Sequence, residues 1–266
     1  MEFLSDFSFG RYYSTDSALH ALDPRTKMLG VLAILVLVLV TESPAAYLLL
    51  TAALALLVAA SGLGVRFLLR NLRSLRWLVL IVFVMHGLLT PGTPVFKAFP
   101  RMTIEGLAVG GIFAWRIALM ISYATILTVT TSPVDLGDGL EKLLGPLSRI
   151  GFPVHELAMI SVIALRFVPT LLDEANRIVK AQVGRGASFD GGLIARAKGA
   201  VPVLVPLFAS AFRRADDLAL AMDARCYRGA EGRTKYVELR LTRRDAAALA
   251  AVGVLFACTI ALSSWF

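Results

Sequence analysis

Two arginines that close predicted helices are the side chains best placed for specific chemistry. Arg185 and Arg225 each stand in the last turn of a long amphipathic pattern, and a glycine follows soon after each. An arginine held at a helix end offers a planar set of donors to a carboxylate, which suits a small protein interface. The same pattern is also an ordinary helix stop, because glycine adopts the left-handed terminal conformation and a cation meets the negative helix end. Both interpretations stay open on these residues alone.

A short acidic run offers a second kind of chemistry. Asp216, Asp217 and Asp223 would be the metal ligands if this were a membrane enzyme that acts on lipid headgroups at the cytosolic face. On a helix, however, residues 216 and 223 lie two turns apart on one face, and Arg213 and Arg214 supply neighbouring counter-charges. The pattern therefore favours a solvated helix face over a metal site.

The remaining reactive side chains form no catalytic or metal-binding pattern. His20, His86 and His155 are scattered along the chain, and Cys226 and Cys258 provide neither a disulfide framework nor a cysteine zinc site. The sequence has no GxxxxGK[ST], HExxH or GxSxG motif. We therefore expect the chain not to hydrolyse ATP and not to belong to the common membrane proteases or lipid hydrolases.

The composition is that of a membrane protein. Hydrophobic residues make up 57% of the 266 residues, and the mean hydropathy is +0.73. The net charge of +8 comes from basic residues that flank apolar runs, as in the cytosolic loops of membrane proteins. We therefore interpret the charge as a sign of topology and expect no nucleic-acid partner.

Five apolar stretches are predicted to cross the bilayer as helices, a span requiring about 20 residues. They comprise residues 28–40, 45–62, 77–89, 106–131 and 246–266, of which the first is short. The first 25 residues carry charges and no apolar core, unlike a cleavable signal peptide. Together with the basic loops, this predicts a cytosolic amino terminus and an external carboxyl terminus.

Arginines mark two positions within this membrane part. Arg66, Arg70, Arg73 and Arg76 are three or four residues apart and would share one face of an interfacial helix. Arg116 lies within the fourth stretch, where burial of its charge costs about 2.5 kcal/mol or more. It should therefore face other helices or a wet pocket, either as a functional relay or as a structural arginine bonded to carbonyl groups.

A charged insert separates the fourth and fifth stretches. In residues 132–245 the apolar residues become periodic, and Lys and Arg outnumber Asp and Glu. The pattern predicts a first helix from Pro133, a second from Val154 to the region of Gly184, and a third over about 193–228, which Pro202 and Pro206 must bend or restart. The fold class is therefore all-α: residues 1–131 form four spans, residues 132–245 a cytosolic helical domain, and residues 246–266 the last span.

Several stretches resemble the T component (EcfT) of energy-coupling factor transporters, which import vitamins and metal ions. They follow that family's order along nearly the whole chain: LDPRTK (22–27), TTSPVDL (130–136), GFPVHEL (151–157), ALRFVPT (164–170), FRRAD (212–216) and AMDARCYRG (221–229). The last of these stretches is the most specific.

The resemblance implies that the two long insert helices are coupling helices, each ending in an Ala-Arg-Gly-type motif that docks on one of two ABC-type ATPase subunits. Carried over, the first motif is Gly184-Arg185-Gly186 and the second is Ala224-Arg225-Cys226. Gly184 replaces the family's alanine and Cys226 replaces its glycine. Both arginines are kept, so these differences put the local backbone shape in question and not the charge.

The resemblance also implies the setting of the chain. It would be a non-catalytic subunit in a bacterial or archaeal inner membrane, without a cofactor of its own, since ATP and Mg²⁺ would be bound by the ATPases. A separate substrate-binding membrane subunit would take up a vitamin or other micronutrient. The alternatives are a membrane scaffold that only anchors soluble partners and the membrane enzyme considered above.

Overall fold

The computed structural model describes residues 17, 19–62, 64, 70, 72–73, 75–96, 99–187, 193–229 and 241–264. The contacts between these residues divide them into two compact units. We call the described part of residues 10–139 and 239–266 the bundle unit, and the described part of residues 140–238 the insert unit. Arg66, predicted to lie on an interfacial helix, and residues 265–266, the end of the last predicted span, lie outside the described residues.

In the bundle unit, residues next to the helix starts cap two of the helices. Asp23 accepts a hydrogen bond from the Arg25 N–H and caps α1, with Pro24 in its first turn. Thr103 caps the long α4 in the same way, through the N–H of Gly106. The helices are α1 (Pro24–Val40), α2 (Pro44–Ser61), α3 (Arg76–Leu89), α4 (Ile104–Thr130) and α8 (Arg243–Ser264).

The prediction of an all-α fold is confirmed, with two differences in detail. The helix that contains the first predicted span, α1, begins four residues before residue 28, at the Asp23-Pro24 cap. A short antiparallel hairpin, β1 (Pro94–Phe96) and β2 (Phe99–Thr103), precedes α4 where the sequence predicted only a loop.

By length and composition, α2, α4, α8 and one helix of the insert unit, α6 (Val154–Gly184), are able to cross a membrane. Helices α1 and α3, both predicted as spans, are shorter, with 17 and 14 residues. The apolar character of α6 was predicted, but its similarity to a span was not.

Buried tyrosines join the first, second and fourth helices of the bundle unit. Tyr47 and Tyr123 are fully buried, and the Tyr123 hydroxyl donates to the carbonyl of Leu50 at 2.7 Å. The Tyr47 hydroxyl likewise donates to the carbonyl of Thr41, so both tyrosines avoid the cost of an unpaired polar group.

Arg116 completes this core in the structural role that was one of its two predicted alternatives. Its Nε donates to the Tyr47 hydroxyl and its Nη2 to the carbonyl of Thr41, both at 2.8 Å. Thr41 is the C-cap of α1, so the guanidinium lies at the negative end of that helix. Stacking on Phe113, at 5.1 Å from the ring centre, adds a cation–π contact.

The insert unit and the segment that leads into it consist of α5 (Pro133–Leu144), a 3-10 turn (Gly145–Ile150), α6 and α7 (Leu193–Ala224). Gly151, with a φ of +86°, ends the turn shortly before α6 begins. The sequence left open whether Pro202 and Pro206 bend the third helix or restart it. The structure shows no restart, since α7 is one uninterrupted helix.

Candidate functional site

The first candidate docking motif is a compact helix end, which we call tip 1 (Gly184-Arg185-Gly186). The N–H of Gly186 donates to the carbonyl of Val183 and that of Ala187 to the carbonyl of Gln182, both at 2.9 Å. Gly186 has a φ of +88°. This pair of bonds is the Schellman motif, in which the residue before the left-handed position closes the helix. Arg185 is that residue, and its side chain is exposed.

The second motif, tip 2 (Ala224-Arg225-Cys226), repeats the same geometry. The N–H of Cys226 donates to the carbonyl of Asp223 at 2.9 Å, and that of Tyr227 to the carbonyl of Met222 at 3.1 Å. Arg225 therefore holds the same place in the motif as Arg185 and is likewise exposed. The two arginines are presented by the same backbone hydrogen-bond pattern.

The structure answers the question raised by the two departures from the family pattern. Cys226 has a φ of +54° and is the one non-glycine residue with positive φ in the described part of the chain. The left-handed turn is thus kept, at the cost of placing a side chain where glycine is favoured. Gly184 is the last helical residue, and a Cβ there would meet nothing within 4 Å, so the family's alanine would fit.

Replacing Cys226 by glycine should stabilise tip 2, because glycine adopts the left-handed conformation without the penalty of a Cβ. We expect about a five-fold slower amide exchange over residues 222–229, equivalent to about 1 kcal/mol. Hydrogen–deuterium exchange with mass spectrometry measures this change. Cys226→Ser removes the thiol but keeps the Cβ and should exchange at the native rate; equal slowing in both variants would refute the conformational explanation.

The two long helices of the insert unit run antiparallel. Near the end of α6, the Gln182 side chain contacts Pro202, in the first half of α7, and further back Glu174 pairs with Arg214 at 2.7 Å. Beyond that ion pair, residues of α6 and of the last turns of α7 line a shared apolar cavity of about 260 Å³; among them are Ile163, Phe167, Leu218 and Met222. Residues with increasing numbers in α6 therefore contact residues with decreasing numbers in α7, as antiparallel helices do.

As a consequence, tips 1 and 2 lie at opposite ends of the helix pair. The Glu174–Arg214 ion pair marks the middle, because Arg185 is eleven residues beyond Glu174 and Arg225 is eleven residues beyond Arg214. At 1.5 Å per residue each arginine is about 16 Å along its helix from the ion pair. The two arginines are therefore at equal distances from the ion pair, at the two ends of the helix pair.

A side chain from α6 satisfies one of the carbonyls that the prolines of α7 leave without a helical donor. Pro206 has no N–H, so it cannot donate to the carbonyl of Pro202 four residues before it. The Gln182 amide donates to that carbonyl instead, at 3.3 Å. Gln182 lies only three residues before Arg185, so the end of α6 is tied to the bend-prone part of α7.

An apolar stripe covers one face of α7. Its members follow the first at intervals of three, four, seven and eleven residues, and each is between 46% and 69% exposed: Val201, Leu204, Val205, Phe208 and Phe212. Such spacing places them on one side of the helix. A continuous exposed stripe of five large apolar side chains is typical of a surface that another protein or lipid covers.

Comparison with known proteins agrees with the resemblance carried by the sequence motifs. The family described as cobalt transport protein (CbiQ) matches residues 15–236. The energy-coupling factor transporter transmembrane protein EcfT of Acidaminococcus fermentans is 46% identical over 245 residues, which cover 91% of both chains. The EcfT protein of Clostridium kluyveri is 43% identical over 267 residues, covering 99% of both. The chain belongs to this transporter family.

As a T component of an energy-coupling factor transporter, the chain is a multi-pass membrane protein and a part of a transport system. The family motifs fall on both tips, on the start of α1 and on the ion pair, since Arg214 lies in the FRRAD stretch. Asp216, Asp217 and Asp223 are exposed on α7, and no group of three or more His, Cys, Asp or Glu residues suited to a metal ion occurs in the described ranges.

Sequence reasoning missed the contacts that hold the T component's two long helices in register. Glu174 and Arg214 are 40 residues apart, and Gln182 and Pro202 are 20 apart. The second contact could have been anticipated from a local feature of the sequence. Pro206 has no N–H for the carbonyl of Pro202, so that carbonyl needs a donor from elsewhere.

Proposed function

We propose that this chain couples ATP hydrolysis by two ABC-type ATPase subunits to the movement of a substrate-binding membrane subunit in an importer of a vitamin or other micronutrient. The observation that carries the proposal is the pair of equivalent tips. Two helix ends with the same capping pattern, each presenting an exposed arginine at opposite ends of one antiparallel pair, suit two copies of similar docking grooves. The chain itself supplies no catalytic residue in this proposal.

The mechanism follows from the stiffness of the helix pair. Each guanidinium forms charge-assisted, bidentate contacts with a carboxylate in an ATPase groove. When the ATPases close on ATP, the tips move, and α6 and α7 change their crossing angle about the Glu174–Arg214 ion pair. Helices act as levers here because a packed helix transmits displacement along its length with little bending.

The exposed stripe on α7 is the proposed seat of the substrate-binding subunit. Its phenylalanines lie within the helix that carries Arg225, so a movement of tip 2 would reach them directly. The apolar surface also matches a membrane-embedded partner better than a soluble one.

The proposal places α6 in the cytosol although it is long and apolar enough to span a membrane. Arg166 lies within the apolar first half of α6, and Asp173, Arg177 and Lys180 follow in its second half. A charge at a bilayer centre costs roughly 2.5–3.5 kcal/mol, so the position of Arg166 disfavours a span. The amino terminus is then cytosolic and the carboxyl terminus external.

Purification of the tagged chain in mild detergent tests the proposal. We expect two P-loop ATPases and a small hydrophobic membrane protein to accompany it, and the reconstituted complex to show ATP-dependent uptake. Recovery of all partners without ATP-dependent uptake would favour a scaffold, and recovery of the chain alone would overturn the coupling proposal.

Replacing Phe208 and Phe212 together by serine should release the substrate-binding subunit and leave the ATPases bound. Burial of each phenylalanine is worth about 1.5–3 kcal/mol, so the pair should cost about 100-fold or more in affinity. Co-purification of each partner from the same preparation measures the split. Leu220→Ser is the control, since Leu220 is 67% exposed on another face of α7; equal loss in both variants would contradict the assigned surface.

A further inference from the structure

An apolar groove in the bundle unit has no role in the coupling proposal. It has a volume of about 340 Å³, within the range of small-ligand sites. Helices α1, α2, α4 and α8 form its walls, and its lining is almost wholly apolar; representative residues are Ile34, Leu57, Ile126, Val252 and Leu255. It is partly open, and Leu56 on its α2 wall is 73% exposed.

The groove lies in one half of the bundle unit. Its walls come from the first part of α1 and α8 and from the last part of α2 and α4, as the hydrogen bond from Lys27 to the carbonyl of Thr130 also shows. From Thr26 to Ile34, α1 lines it for about 12 Å. Half of a bilayer's hydrocarbon core is about 15 Å thick. The groove thus matches the depth of a single leaflet.

Two cationic side chains belong to the surroundings of the groove. Lys27 is part of its lining, where the ammonium group donates to the carbonyls of His20 and Thr130, and Arg244 precedes the lining residues of α8. On α8 the lining residues Ala248, Ala251 and Leu255 follow Arg244 at intervals of four, seven and eleven residues, which places all four on one helix face. Arg244 is exposed one turn before the first lining residue. The neighbouring Arg243 shares its face with Ala247, Ala250 and Val254 and not with the groove.

We propose that the groove binds one acyl chain of an anionic phospholipid, with the lipid phosphate against Arg244. An opening toward the surroundings of a membrane helix meets acyl chains, and an arginine at headgroup depth favours an anionic lipid over a zwitterionic one. In the topology given under the proposed function, this leaflet is the cytosolic one. Only the choice of leaflet rests on the proposed function. The bound lipid fills space between α1 and α8 that the protein's own side chains leave open.

Native mass spectrometry of the full-length chain, with phosphatidylglycerol and phosphatidylcholine of the same chain length, tests the site. We expect one phosphatidylglycerol retained per chain. Ala251→Phe, which fills the groove, should abolish retention, whereas Ala250→Phe on the neighbouring exposed face should not. Equal behaviour of these two variants, or no retained lipid in the native chain, would overturn the proposal.

The headgroup part of the proposal has its own variant pair. Arg244→Gln should lower the preference for phosphatidylglycerol about five-fold, the effect of one basic residue near a membrane surface, and Arg243→Gln should leave it unchanged. Equal retention of both lipids by the native chain would refute the assignment to Arg244. Co-purification of ATPases is read separately, so loss of lipid with ATPases retained overturns the lipid site alone, and the converse result overturns the coupling proposal alone.

Discussion

Replacing Arg185 and Arg225 together by alanine should abolish co-purification of the ATPases and leave the chain in the membrane. Both guanidinium groups are exposed, and neither takes part in the Schellman bonds, which are made by backbone groups. The tips should therefore keep their shape and lose only their contact with a partner. Truncating one member of a buried charge pair costs about 2–5 kcal/mol, so two tips lost together weaken binding by about 10³-fold or more.

Single variants should behave differently from the double variant. With one tip intact, the remaining contact keeps the second ATPase close by effective concentration, and a partial complex should survive mild washing. Arg166→Ala combined with Arg213→Ala is the matched control, because it removes two exposed arginines from the same two helices away from the tips. Full retention of ATPases by the Arg185/Arg225 variant would show that the tips do not dock.

The parts of the fold that were predictable from sequence are those with local signals. Pro153 before α6 and Gly186 after it predicted the limits of a 31-residue helix to within a few residues. Tip 1 was likewise visible as a pattern. Its docking role came from the resemblance and stays a prediction, since no local rule separates a docking arginine from a helix stop.

The parts that were not predictable depend on residues far apart in the chain. A donor from α6 bonds the carbonyl that Pro206 leaves open in α7, and the antiparallel register brings Glu174 to Arg214. Propensity alone gives a broken helix at two closely spaced prolines, which is why a restart was considered. Both contacts join residues that are distant in the sequence, so neither follows from local propensity.

Asp245 illustrates the same limit in the bundle unit, where it joins the start of α8 to the start of α1. Its Oδ1 accepts a hydrogen bond from the Asp23 N–H at 2.8 Å, across 222 residues of sequence. Its Oδ2 accepts from the N–H and the hydroxyl of Thr242, at 2.8 and 2.6 Å. The second pair is a capping box, in which the side chain at the third helical position reaches back to the N-cap. Only 1% of Asp245 is exposed.

Replacing Asp245 by alanine should therefore lower the thermal midpoint of the purified chain by about 10 °C. Loss of the cap costs about 1 kcal/mol, and the Asp23 N–H left without an acceptor in a buried position costs about 1–3 kcal/mol more, which for a chain of this size gives a shift of that order. Asp245→Asn keeps one acceptor oxygen and should lose about half as much. Thermal unfolding in detergent measures the series, with Asp217→Ala as the exposed control that removes the same charge from α7. An equal midpoint for the two alanine variants would mean that the junction between α1 and α8 does not depend on this carboxylate.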